Sequence, residues 1–132
     1  MPVPLEYMDM TSLAMLWENS GASDREGNPT VIAPVEITCR WEEDQREGYD
    51  KNGNLVTTDV TICTTRNILI GSIIWEGGLT DLAAQDVGSA MLPVSDIYQV
   101  LFRSRAKSKG GEVVRYEFSI KRYMDIVPDI VT

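Results

Sequence analysis

The chain has 132 residues, 43% of them hydrophobic, with two Cys, no His and a net charge of −8, a profile that fits one small globular domain with a modest core. Without His, Ser-His and Cys-His nucleophile pairs are excluded, and two Cys alone cannot build a four-ligand zinc site. The charge is uneven: residues 1–100 hold 16 acids against 5 bases and residues 101–132 hold 4 against 7, so −8 divides into −11 and +3. A face that grips DNA is basic, and most of this chain is acidic.

Further exclusions follow from the motifs. The apolar run at 68–75 contains Gly71 and Ser72 and is far too short to span a bilayer, so no membrane partner is expected. Gly77-Gly78 and Gly110-Gly111 are isolated pairs that read as turns, not as a phosphate-cradling loop. The carboxylates Glu42, Glu43, Asp44, Glu47 and Asp50 fall in one short run, which reads as a solvated strand end better than as an acid–base pair. The expectation is a protein that is not an enzyme and needs no cofactor or metal. Two Cys without a signal-peptide pattern read as reduced thiols that pack in a core.

In chain order, residues 1–10, with Pro2 and Pro4, read as a loose arm. Residues 11–19 suit a strand or a short helix, with a strand paired back onto 35–41 preferred. Residues 20–30, containing Gly21, Gly27, Asn28 and Pro29, read as a turn region.

The most informative segment is 35–66. Ile37, Cys39 and Trp41 alternate with Glu36, Thr38 and Arg40, and Val56, Val60 and Ile62 alternate with Leu55, Thr57, Asp59 and Thr61 on the return arm. Asn52-Gly53 between them predicts a two-residue type I′ turn, with positive φ at both positions. Lys51 then faces Asn54, and Ile37, Cys39 and Trp41 share a face with Val56, Val60 and Ile62. Cys39 points into that face and Cys63 away from it, so the two should not bridge.

Next, 68–75 suits a strand covered on both faces. Residues 76–96 form a long loop with room for one helical turn from Thr80 or Asp81, either a flap or a partner-binding loop. Tyr98, Val100 and Phe102 alternate in one strand, and Tyr116, Phe118 and Ile120 in another. Between these strands Arg103, Arg105, Lys107 and Lys109 should all point to one side if extended, as a soluble hairpin tip or as a basic finger. The apolar, Pro-broken tail at 124–132 suits a segment lying along a partner or along its own barrel edge. Five or six short strands with Gly-rich turns predict an all-β fold. We expect a small β-barrel or sandwich with long loops and extended N- and C-terminal arms, one domain over 1–132.

Several segments resemble one family. Ala14-Met-Leu-Trp17, Gly27-Asn-Pro-Thr30 and Ala33-Pro-Val-Glu-Ile-Thr-Cys-Arg-Trp-Glu42 are similar in order and spacing to the opening of tailed-bacteriophage head-closure (stopper, or head-completion) proteins. So are the acidic Glu43-Asp-Gln-Arg-Glu47, the hairpin tip Asp50-Lys-Asn-Gly-Asn54 and the strand Asp96-Ile-Tyr-Gln-Val100. The resemblance covers roughly 14–123; the longer loop at 76–96 and the tail depart from it.

The resemblance implies a small β-barrel in the virion neck, made in the host bacterial cytoplasm and assembled as a homo-oligomeric ring, sixfold or twelvefold. A portal adaptor would lie above it and a tail-terminator or tail tube protein below. The ring would close the channel after packaging, touch packaged double-stranded DNA transiently and offer the tail a docking surface. Heterologous contacts build such rings. Glu42, Glu43, Asp44 and Glu47 on one side, with Arg103, Arg105, Lys107 and Lys109 on the other, are the candidate interface residues. Asp50, Lys51, Asn52 and Gly53, or alternatively the 76–96 loop, would enter the channel. Within the same class, the alternative is a tail-completion or tail-terminator protein. From another class, a single-stranded nucleic-acid-binding barrel would use Tyr116, Tyr123, Arg103 and Arg105.

Overall fold

Period-two alternation, not helical spacing, dominates the chain, and it builds strands wherever it runs. The computed structural model describes residues 12–23, 25, 27, 29–50, 52–87, 91–109, 112–123, 130 and 131; the arm expected at 1–10 lies outside them. The strands are β1 (Ser12–Trp17), β2 (Asn19–Ser23), β3 (Pro29–Ile32), β4 (Val35–Glu42), β5 (Arg46–Tyr49), β6 (Leu55–Thr58) and β7 (Val60–Thr64). They continue as β8 (Ile73–Glu76), β9 (Ile97–Lys109), β10 (Glu112–Arg122) and β11 (Ile130–Val131), with one short helix, α1 (Leu79–Ala83).

Six strands close an antiparallel barrel in the order β1-β4-β7-β10-β9-β8. Closure leaves no free edge among them, which removes the usual site of unwanted strand pairing. As preferred from sequence, 11–19 contributes a strand paired with β4, with Ser12 across from Cys39 and Leu16 across from Val35. A second small sheet sets β11 parallel to β3, which pairs with β2; β5 and β6 form a separate two-stranded ribbon. The 20–30 region is therefore a hairpin of β2 and β3, and the turn expected across all of it is narrower.

Alternation sends side chains into two cores. Ala14, Leu16, Ile37, Cys39, Val60, Ile62, Ile68, Ile74, Val100, Phe118 and Ile120 fill the barrel, with Trp41, Tyr98 and Tyr116 packed at its margin. The opposite faces of the same strands send out Met15, Trp17, Ile73, Trp75 and Ile97 to meet Val31, Leu82 and Leu92. Each fully buried Val, Leu, Ile, Met or Phe among them contributes about 1.5–3 kcal/mol. β8 is thus covered on both faces, as its composition predicts. The strand is shorter than expected, however. Residues 68–72 form a loop in which Ile68 still plugs the barrel, with Gly71 N–H bonded to the Val100 carbonyl at 2.8 Å.

The long 76–96 loop holds one helical turn, close to where it was expected. It is not a free flap: Leu82 and Leu92 are buried in the outer core. Glu36 Oε2 accepts the Leu79 N–H at 2.8 Å and Asp81 Oδ2 accepts the Gly78 N–H at 2.9 Å, so carboxylates satisfy the first amides of α1. Of the tail, Ile130 and Val131 lie across from Val31 and Ile32, and Ile130 packs against the outer core. Residues 124–129 lie outside the described set.

The central hairpin needs a correction. Trp41 lies across from Ile62 and Arg40 across from Cys63, whereas in the ribbon Gly48 lies across from Val56 and Tyr49 from Leu55. The single register predicted from a two-residue turn does not occur. Gly53 has φ +82 and its N–H bonds the Asp50 carbonyl at 3.0 Å, which makes a turn one residue longer than predicted. Residues 43–45 and Asp59 then change the register again on the way into the barrel. Because the two slips add, Ile37, Cys39 and Trp41 still share the barrel face with Val60 and Ile62; Val56 does not, and sits half-buried in the ribbon. Neither cysteine is in a disulfide, and both are buried. Cys39 lies in the barrel core and Cys63 points to the other side of the sheet, across from Glu117.

Candidate functional site

The ribbon carries Glu47 and, at its tip, the predicted channel residues Asp50, Asn52 and Gly53, and it is held down on its own barrel. A Cβ added to Gly48 would lie 2.6 Å from Phe102 Cζ and 2.8 Å from both ring Cε atoms; glycine lets β5 rest on β9. The Arg46 guanidinium donates to Asp44 Oδ2 at 3.2 Å and to Glu117 Oε2 at 3.4 Å. Glu117, on β10, is only 5% exposed. Thr58 Oγ1 donates to the Arg46 carbonyl at 3.3 Å. Beneath this layer Thr61, Cys63 and Ser119 are buried, and the hydroxyls of Thr61 and Ser119 have no hydrogen-bond partner.

The ribbon tip is built by one carboxylate. Asp50 Oδ1 accepts the N–H groups of Asn52 and Asn54, each at 2.9 Å, the Asx pattern that pre-forms a turn. Asn52 and Gly53 are exposed, and Lys51 lies outside the described residues. Tyr49 and Leu55, facing each other across the ribbon, are 68% and 61% exposed.

The acidic run does not form one patch. Glu42 ends β4 with its Oε1 3.1 Å from Arg40 Nε, and Asp44 is drawn to Arg46; Glu43 and Glu47 are exposed. On the basic side, β9 extends through Lys109, so Arg103, Arg105, Lys107 and Lys109 all belong to one strand. They do not form one alternating set. Arg103 lies across from Phe118 but Arg105 across from Glu117, which makes Ser104 an extra residue; Arg103 falls out of phase with 105, 107 and 109. Of these four, only the Arg103 side chain is described. It is exposed, with its guanidinium 5.7 Å from the Tyr116 ring centroid.

An open cleft of about 850 Å³ lies between the ribbon tip, the 67–71 loop and β9, and Tyr49, Asp50, Asn52, Leu69, Ile70 and Arg103 are among its walls. Asp50 of the tip and Arg103 of β9 therefore line one cleft. A smaller hollow of about 380 Å³ is bordered by Glu43, Asp59, Tyr98, Lys121 and Arg122. Arg122 reaches Asp96 at 3.3 Å.

Electrostatics mark the far side of the barrel. Burial, and then the neighbouring charge of Glu43, pushes the Glu76 carboxyl above the usual carboxylate range. Burial, followed by Glu76 and Cys63, pushes the Cys39 thiol up to about 12. Cys39 is thus an inert core residue at neutral pH. Among the described residues no His, Cys, Asp and Glu cluster suited to a metal ion occurs, and no helix is long and apolar enough to cross a membrane.

Two aromatic residues that a nucleic-acid platform would use are engaged in packing. Tyr116 stacks on Phe118, centroids 6.1 Å apart, and Tyr123 packs against the outer core. Sequence reasoning missed the exposed apolar positions Leu13, Leu69, Leu79 and Val94, which are 41%, 53%, 53% and 57% exposed. The signal for the loop members was apolar residues in segments without alternation, which periodicity alone does not assign to surface or core. Compared with known proteins, the chain matches no family model and no curated protein sequence.

Proposed function

We propose that this chain is a structural protein of the tailed-phage neck, a head-closure ring subunit beneath the portal and its adaptor. What carries the reading is the Cys39-Arg-Trp-Glu42 segment, with its similar neighbours, lying on a strand of a small closed barrel. Such a barrel is a rigid unit that can repeat around an axis while loops and ribbons reach partners. The acidic excess supports it too: a negative channel wall repels the DNA backbone and keeps it mobile.

In this reading the ring is sixfold or twelvefold, sits in the virion between the portal adaptor and the tail-terminator or tail tube protein, and touches packaged DNA only in passing. The ribbon tip at 50–54 is the better channel loop, because the 76–96 segment commits Leu82 and Leu92 to the outer core. No residue is assigned a catalytic role. A tail-terminator role, one step down the same axis, is the second reading.

Electron microscopy of particles made with an early stop codon in this gene tests the proposal. Heads that package and then lose DNA, beside free tails, are the expected result. Stable DNA-filled heads without tails would move the protein toward the tail, and normal infectious virions would overturn the neck assignment.

A further inference from the structure

Among the described residues the β5–β6 ribbon shares no backbone ladder with the barrel, and its two strands pair with each other. The chain enters the ribbon through residues 43–45 and leaves it through Asp59. At that place the Asp44 N–H bonds the Asp59 carbonyl at 3.1 Å. Both crossings therefore meet at one point, and the ribbon hangs from the barrel at a single hinge.

The seam between ribbon and barrel is polar. Thr61 lies across from Ser119 and Cys63 across from Glu117, so these four share one face of β7 and β10, and all are buried. The Arg46–Glu117 bond places the ribbon on that face. Val56, the apolar residue the ribbon turns inward, is only half-buried, and Gly48 rests on Phe102 without a side chain of its own. Among the described residues the hydroxyls of Thr61 and Ser119 have no hydrogen-bond partner. Covering them keeps two polar groups from water, which opposes docking where apolar burial would favour it. The ion pair across the seam is long, 3.4 Å, and Arg46 has a second partner on the hinge side, Asp44 at 3.2 Å.

We propose that the ribbon is a strap that lifts from the barrel as a unit, turning about the hinge at 43–45 and Asp59 while the six-stranded barrel stays closed. Lifting hydrates Thr61 and Ser119, uncovers the Cys63 thiol and widens the cleft of which Tyr49, Asp50 and Asn52 are walls. Val60, Ile62, Phe118 and Ile120 pack on the inner face of the same two strands, so the barrel core does not depend on the ribbon. Cys39 belongs to that inner core and stays covered. Elements held by little apolar burial open at lower cost than the whole fold. The strap does not rest on the neck assignment and needs no second copy of the chain.

The two cysteines report on the movement. Iodoacetamide alkylation of the purified chain, read at each site by mass spectrometry and scaled to the rates in the urea-unfolded chain, measures how often each thiol is uncovered. Cys63 should react on the order of 100-fold faster than Cys39, with a weaker urea dependence, because lifting a ribbon exposes far less surface than opening the barrel. Thr61→Val with Ser119→Ala removes the stranded hydroxyls at nearly constant shape and should slow Cys63 about tenfold. Arg46→Gln leaves Glu117 without its cross-seam charge and should quicken Cys63 about tenfold. Circular dichroism checks that each variant folds. Equal rates and equal urea slopes at the two sites would mean that the ribbon leaves only when the barrel unfolds. Cys63 reacting as fast as in the unfolded chain would mean that the ribbon does not cover it. A Thr61–Ser119 variant with an unchanged or faster Cys63 rate would mean that the polar seam does not drive opening, and each of these results would overturn the strap.

Discussion

Cys39 offers a stability prediction with a sign and a size. Its side chain is 0% exposed in the barrel core, and its thiol is raised from 9.0 to about 12, first by burial and then by Glu76 and Cys63. A raised acid means that the folded state keeps a proton the unfolded chain gives up. Stability from this group is fully present below about pH 9 and is lost as pH climbs toward 12. Each pH unit in that window removes about 1.4 kcal/mol, so two units remove about 3 kcal/mol. The assay is urea unfolding of wild type and Cys39→Ala across that range, where Lys and Tyr titrations common to both proteins cancel in the difference. At neutral pH the variant should be less stable by about 1–2 kcal/mol through lost core contacts. That gap should close as pH rises and then reverse. A gap that stays constant from neutral to strongly alkaline pH would refute a proton held by Cys39 in the folded barrel.

Three further outcomes test the architecture. Phe118→Ala empties a fully buried position of the barrel and should cost about 3–5 kcal/mol in urea unfolding; a cost below about 1 kcal/mol would contradict a packed interior. Gly48→Val forces the Phe102 ring aside, at about 1–3 kcal/mol. Amide exchange should quicken in β5 and β6 while the amides of β10 paired to β7 stay protected, and equal quickening throughout would contradict a ribbon docked as a separate layer. Asp50→Ala removes the acceptor of two tip amides and should cost about 1 kcal/mol, with faster exchange at Asn52 and Asn54; unchanged exchange there would mean that the backbone alone makes the turn.

Local chemistry was enough to place much of this chain. Alternation at Ile37, Cys39 and Trp41, and again at Tyr98, Val100, Phe118 and Ile120, marked strands and their inward faces, because a pleated backbone sends successive side chains to opposite sides. The same alternation separated Cys39 from Cys63. It also pointed to an all-β fold, and the missing His narrowed the chemistry through composition alone. Tertiary structure decided what depends on distant partners. The turn at Asn52-Gly53 took three residues, not two, because Asp50 supplies side-chain acceptors that a dipeptide preference does not include. The register slip that followed turned one long hairpin into barrel strands and a folded-back ribbon. A bulge at Ser104 removed Arg103 from the basic row, since alternation holds only while the ladder is unbroken. The outer core of Trp17, Trp75, Leu82 and Leu92 could not be read locally, for an apolar residue in a loop finds its partner only when the chain closes. Composition set how many charges there are. Closure of the barrel set which of them became neighbours, because a strand's neighbours in space are chosen by pairing and not by order along the chain.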